Sequence, residues 1–203
     1  MKVYDISQEV FGCEIYPGDP APEREWISRI DEGEVCNITA FRMCAHNGTH
    51  ADAPYHFLRE GKTIDGIDLR KFVGYAYVTE HEGPVTAPDA ERILTDAEKA
   101  GQERNLSDEP AKRILVKGDA VVTPEAAEVF ANAGISLFGN ESQSVGPADA
   151  PMKVHLTMLG AEIVLLEGIR LSAVPEGVYL LSAAPLNLGG ADGAPVRAVL
   201  IEL

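Results

Sequence analysis

The spacing of apolar residues changes character part-way along the chain. Up to Thr79 it gives short extended runs separated by turns, and beyond it helical and strand-like stretches alternate. Tyr16-Pro17-Gly18-Asp19-Pro20 predicts a turn, because proline fixes one φ and glycine supplies a reversed one. Residues 37–43 and 75–79 predict strands, the first running directly into a histidine-rich segment. Residues 87–100 predict a helix closed by Gly101, and residues 113–117 a short buried strand. Thr123-Pro124-Glu125 opens a second helix with a capping hydroxyl, a first-turn proline and an early acid; Gly134 stops it. Residues 135–138 follow as a strand. Asp149-Ala150-Pro151 opens a third helix that ends at Gly160. Residues 163–166 form a wholly apolar strand, and residues 195–203 a last one with partial alternation. This order predicts the α/β class, a mixed sheet with helices.

Composition keeps that picture and narrows the partners. A chain of 203 residues, 45% apolar and 24% charged, is long enough to bury a substantial core. No repeat or Ser/Gly linker divides it, so residues 1–203 are read as one domain. The formal charge of −15 repels phosphate backbones and anionic lipid, which argues against nucleic-acid and membrane partners and favours cations. Cys13, Cys36 and Cys44 are odd in number and lack CxxC spacing, so reduced, mostly buried thiols are expected. No apolar window reaches membrane length, and no signal-peptide core follows Met1. Cytoplasm is the expected compartment.

Candidate chemistry concentrates in His46-Asn47-Gly48-Thr49-His50-Ala51-Asp52-Ala53-Pro54-Tyr55-His56. His46, His50, Asp52 and His56 share one parity and can share one face of an extended chain. A straight strand of that length spans about 33 Å, too long for one metal centre, so the chain must bend; Gly48 and Pro54 are where it can. His50 and Asp52, about 6–7 Å apart along a strand, need no bend to reach the same ion or adjacent ions. Imidazole with carboxylate is the ligand set of hydrolytic zinc and manganese sites. Accidental clustering of the same residues is the alternative. Downstream, His155 lies on the third predicted helix and Glu167 just after the apolar strand. By themselves they read as a wet helix face and a solvated strand end.

Together these residues resemble the cyclase family of metal-dependent hydrolases, which includes bacterial kynurenine formamidase and isatin hydrolase. The family signature HxGTHxDxPxH is matched at every fixed position by residues 46–56, and its second ligand pair by His155 and Glu167 at the same spacing. Asp5-Ile6-Ser7, Pro17-Gly18-Asp19, Pro175-Glu176-Gly177 and Gly193-Ala194-Pro195-Val196-Arg197-Ala198 extend the likeness along most of the chain. The resemblance implies a swivelling β/β/α-type domain and a homo-oligomer, dimer or tetramer. It implies His46, His50, Asp52, His155 and Glu167 as ligands of one or two divalent ions, with zinc first and manganese second. His56 is then the catalytic acid/base residue. The chain departs from the formamidase pattern at Gly139-Asn140-Glu141-Ser142-Gln143-Ser144, where relatives carry Gly, Asp and Ser, and at Tyr16, where they often carry Trp.

The expected activity is arylformamidase-like: hydrolysis of an amide bond in a small aromatic or cyclic substrate by metal-activated water. An isatin hydrolase-like or lactone-opening enzyme, an inactive metal-binding module and an acidic interaction protein are the alternatives. Tyr16, Trp26, Tyr55 and Phe57 are the candidate aromatics for an aromatic substrate's pocket, with ordinary core or surface packing an equal expectation for each one singly. His81 is expected in a surface loop; residues 189–193 with Arg197 are expected as a plain turn into the last strand, with contact to substrate or a partner subunit as the alternative.

Overall fold

A computed structural model describes residues 1–202. In chain order the first strands are β1 (Lys2–Asp5), β2 (Glu23–Ser28), β3 (Ile38–Arg42), β4 (His50–Asp52), β5 (Val73–Glu80) and β6 (Gly83–Val85). Helix α1 (Ala87–Glu103) precedes β7 (Arg113–Lys117) and β8 (Ala120–Val122); α2 (Pro124–Ala133) precedes β9 (Leu137–Asn140). Helix α3 (Met152–Gly160) leads into β10 (Val164–Glu167), followed by β11 (Gly177–Ser182), β12 (Gly193–Pro195) and β13 (Val199–Glu202).

Nine strands make one curled mixed sheet in the order β1-β13-β11-β5-β7-β9-β10-β4-β12. Its centre, β5, β7, β9 and β10, is parallel, and α1, α2 and α3 are the crossovers that parallel pairing requires. Antiparallel strands extend it on both sides. Because strand residues alternate between faces, the sheet builds two cores. Ile114, Val116, Phe138 and Leu165 pack with Ile93, Phe130 and Met158 on one of them. Leu115, Leu137, Val164 and Leu166 join Tyr4, Phe72, Leu181 and Leu200 on the other. The mixed α/β class expected from the apolar pattern is what the chain forms.

Side chains cap two helix starts, the one at Thr123 as expected. Thr86 and Asp89 form a reciprocal capping box, and the Thr123 side chain accepts the Ala126 N–H. Gly134 ends α2 in the left-handed region, φ 64°. Asp149 does not cap α3, whose N-cap is Pro151 without a side-chain bond.

Several expectations change. Gly101 does not close α1, which continues to Glu103; it is buried where an added Cβ would lie 2.3 Å from the Ser107 carbonyl oxygen. Its role is close approach rather than termination. The strand expected over residues 135–138 starts later, at Leu137, because Ser136 N–H bonds outside the ladder to the Lys112 carbonyl. The single last strand is two: β12 pairs with β4 at one end of the sheet, whereas β13 pairs with β1 and β11 near the other. Leu203 lies outside the described residues. β3 forms a separate hairpin with β2, exposing Trp26, Ile27, Ile38 and Phe41. Cys36 sits in that hairpin and is exposed, while Cys13 and Cys44 are half-buried, so the thiols are free but not mostly buried.

Two glycines separate packing from backbone freedom. We expect Gly101→Ala to lower stability by about 1–3 kcal/mol through overpacking. Gly160→Ala meets nothing within 4 Å of the new Cβ and should be neutral or stabilising by about 0.4–1 kcal/mol. Urea denaturation of the two variants checks this, and equal midpoints would remove the steric account of Gly101.

Candidate metal centre

The bends required by the 46–56 segment are present at both expected places. Gly48 adopts φ 62°, and a Cβ there would stand 2.7 Å from that of Cys13, so both backbone and space demand glycine. Pro54 opens a 3-10 turn over Pro54–His56. Thr49 fixes the intervening corner: its hydroxyl donates to the Gly168 carbonyl at 2.7 Å and accepts the Gln8 N–H at 2.9 Å. Between the bends, β4 holds His50 and Asp52 on one face while Ala51 enters the opposite core. β10 runs antiparallel beside it with Glu167 opposite His50, which puts both side chains on the same face. α3 then lays His155 over that face.

Three histidines turn a ring nitrogen toward these two carboxylates. His46 Nδ1 lies 2.9 Å from Asp52 Oδ1, and His50 Nε2 lies 3.4 Å from Asp52 Oδ1 and from Glu167 Oε2. His155 Nε2 is 3.3 Å from Glu167 Oε1 and 3.8 Å from Asp52 Oδ2. The remaining ring nitrogens meet oxygen acceptors: the Gly48 carbonyl for His50, the Pro151 carbonyl for His155 and the Asp192 carboxylate for His46. Such outer bonds set ring orientation and tautomer in metal-binding histidines. Glu167 is held in turn by the Val145 N–H at 2.7 Å.

His50, Asp52, His155 and Glu167 are all buried, which corrects the solvated reading of the downstream pair. Burial alone pulls the His50 imidazole down, but its bonds to Asp52 and Glu167 outweigh this and hold it well above the ordinary histidine value. Burial pushes the Asp52 carboxyl up, yet His46 and His50 hold it far below the usual carboxylate range. Asp52 Oδ2 has no hydrogen-bond partner. A buried anionic oxygen left unpaired is costly, and a cation between Asp52 and the facing ligands would satisfy it. His50, Asp52 and Glu167 offer ligand atoms within 4.8 Å of one another, as do His46, Asp52 and His56. The donor set therefore fits a divalent ion.

His46, His50, His56, His155 and Glu167 line a cavity of about 250 Å³. Tyr16 and Phe57 line it as expected, with Phe57 stacked on His155 at 4.5 Å. Trp26 and Tyr55 do not line it: Trp26 lies on the exposed hairpin and Tyr55 is 44% exposed. Asp19, Gln143, Ser144 and Pro151 complete the wall, and the first three belong to stretches already singled out in the sequence, Pro17-Gly18-Asp19 and 139–144. The departing 139–144 stretch divides its roles. Asn140 ties the Ala120 and Ser144 carbonyls, and Glu141 accepts the Gly118 and Leu171 N–H groups, leaving Gln143 and Ser144 at the cavity. His56 is the partly exposed member, its Nδ1 3.1 Å from Asp192 Oδ2. His81 is half-buried against the Pro84 carbonyl, far in sequence from the site and absent from the cavity wall. Arg197 pairs with Asp5 on the surface.

The family model described as "Putative cyclase" matches residues 4–147. The chain belongs to the cyclase family. A kynurenine formamidase of Salinibacter ruber is 38% identical over 214 residues, covering 98% of this chain and 97% of that protein. One from Paracidovorax citrulli is 34% identical over 206 residues, covering 98% and 95%. Among solved structures, "The Structure Of Potential Metal-Dependent Hydrolase With Cyclase Activity" superposes with a TM-score of 0.79 at 28% identity, covering 98% of this chain and 96% of that one. Isatin hydrolase A from Labrenzia aggregata superposes equally, 0.79, but at 20% identity over 98% and 93%. That likeness bears on the fold.

Metal addition should stabilise this cyclase-family chain, by about 4 kcal/mol at a thousandfold excess over Kd. Ligand histidines must lose their protons to bind, so binding strengthens as pH rises. In metal-free protein the raised His50 stabilises below its unfolded value of about 6.5, and that stabilisation is lost as pH climbs through the folded one. Both signs widen the melting-temperature gap between zinc-loaded and chelator-treated protein from about pH 6 to about pH 8. A gap that narrows over that range contradicts the assignment.

Proposed function

We propose that residues 1–203 form one metal-dependent hydrolase domain that cleaves a C–N bond other than a peptide bond, in the manner of an arylformamidase. The observation carrying the reading is the convergence of His46, His50, His155 and Glu167, from three separated segments, on one cavity and around the buried Asp52, whose Oδ2 is left unpaired. These five are the ligands of one or two divalent ions. Each carboxylate turns one oxygen toward His50 and the other toward His155, so both would offer ligand atoms on either side of the cluster. Zinc is the first expectation from the His/carboxylate set and manganese the second. The kynurenine formamidase relatives, matched nearly end to end, support an amide substrate.

A divalent ion bound there supplies Lewis acidity, polarising a carbonyl and acidifying a water. The chain's own groups do the rest. His56 takes the proton as the water oxygen bonds to the acyl carbon, and returns it to the nitrogen as the C–N bond breaks. The products are a carboxylic acid, formate when the acyl group is formyl, and the free amine. Phe57 and Tyr16 offer apolar faces to an aryl group, and the cavity keeps it beside His56.

The same reading takes the working form as a cytoplasmic homo-oligomer, dimer or tetramer, acting on a small molecule without nucleic-acid or membrane partners. The exposed apolar residues of the β2–β3 hairpin support an oligomer, and the charge of −15 supports the lack of nucleic-acid and membrane partners.

The decisive assay measures hydrolysis of N-formylkynurenine, formanilide and isatin before chelation, after it, and after zinc or manganese add-back. Activity is expected to vanish and return, and full activity in metal-free protein would sink the mechanism. His56→Ala should retain its metal while kcat falls about 10²–10⁴-fold. Loss of metal from that variant would move His56 into the ligand set.

A further inference from the structure

We propose that Asp192 is the positioning residue of this site, holding a metal ligand and the proton carrier through a single carboxylate oxygen. The proposal rests on the reading of His46 as ligand and His56 as acid/base residue. Asp192 Oδ2 lies 2.8 Å from His46 Nε2 and 3.1 Å from His56 Nδ1. The two imidazoles pack side by side above it, with ring centroids 4.1 Å apart and planes 30° from parallel.

An ionised carboxylate only accepts hydrogen bonds, so each ring nitrogen facing Asp192 carries the hydrogen. That fixes two tautomers at once. On His46 the other nitrogen, Nδ1, lies 2.9 Å from Asp52 Oδ1, where it donates to that carboxylate without metal and would turn its lone pair to an ion bound there. His56 is left with an unprotonated Nε2, ready to receive a proton. Without Asp192 both rings are free to flip or exchange tautomers, and each wrong tautomer disables a different function.

The main chain holds Asp192 independently of its carboxylate. Its carbonyl accepts the Ala53 N–H at 2.9 Å, the Ala191 carbonyl accepts that of Ile64 at 2.9 Å, and Gly190 N–H donates to Asp65 at 3.0 Å. Gly193 completes the cradle: a Cβ there would stand 2.7 Å from His46 Cε1. Removing the carboxylate therefore leaves the loop anchored. The 189–193 stretch, expected to be a plain turn, is a structural part of the active site.

The test compares Asp192→Ala, Asp192→Asn, His56→Ala and the Asp192→Ala/His56→Ala double variant. With saturating zinc, Asp192→Ala should lower kcat about 10–100-fold with KM within about twofold, and competition with a chelator should show zinc binding weakened about 10–100-fold. Asp192→Asn should recover part of both losses, because its amide oxygen still accepts an N–H. In the His56→Ala background, removing Asp192 should no longer change kcat but should still weaken zinc binding. Imidazole ¹⁵N NMR of the metal-free protein should show the His56 Nδ1–H tautomer in wild type and a mixture in Asp192→Ala. Unchanged kcat and zinc affinity in Asp192→Ala would overturn the proposal, as would an equal kcat loss with and without His56. Wild-type kcat in His56→Ala would instead remove the acid/base reading, and the zinc and NMR measurements would still judge Asp192.

Discussion

Asp52 and Glu167 lie diagonally on one face of two adjacent antiparallel strands inside the protein, and the site is arranged around the cost of keeping those two charges there. Each is almost wholly buried. Buried carboxylates persist only with donors or cations around them. His46, His50 and His155 surround the pair, and Val145 N–H meets Glu167, yet Asp52 Oδ2 remains without a partner. The arrangement is complete only when a cation joins it. On the proposed reading folding and metal binding are linked, since the residues that would hold the ion are buried only in the folded chain.

The sheet supplies the precision this needs. β4 and β10 are short, but their register sets Glu167 opposite His50 and places the charges on the face that α3 covers. The corner before β4 is locked by the Thr49 hydroxyl, which bridges Gln8 and Gly168. Hydrogen bonds to backbone carbonyls then orient His50 and His155. β4, β10 and α3 carry His50, Asp52, Glu167 and His155, whereas His46 comes from a turn, His56 from a 3-10 turn and Asp192 from a loop.

Much of this is legible in the order of the amino acids. The turn at residues 16–20, the Thr123 cap, the Gly134 stop and the buried strand over Arg113–Lys117 follow from local chemistry and are all present. Gly101 misleads, because a glycine near a helix end gives the same signal whether it ends the helix or lets another chain segment approach. The final strand reads as one because Val196 and Ala198 are apolar and buried, like the residues of β12 and β13 on either side of them. The exposed hairpin carries no signal of its own, since apolar residues read equally as core or as an unpartnered surface.

The sequence by itself determined the residue types of the centre, the places where the 46–56 segment bends, and the succession of helices and strands. Those depend on local conformational preference and on motif spacing. Tertiary structure alone decided that His155 and Glu167 are buried beside Asp52 and that Trp26 stands away from the cavity. It also brought Asp192 to His46 and His56 from more than a hundred residues along the chain. A lone aspartate in a Gly-rich loop has no periodicity and no fixed spacing to its partners. Only the pairing of β12 with β4, which joins distant segments through backbone hydrogen bonds, brings that loop to the active site.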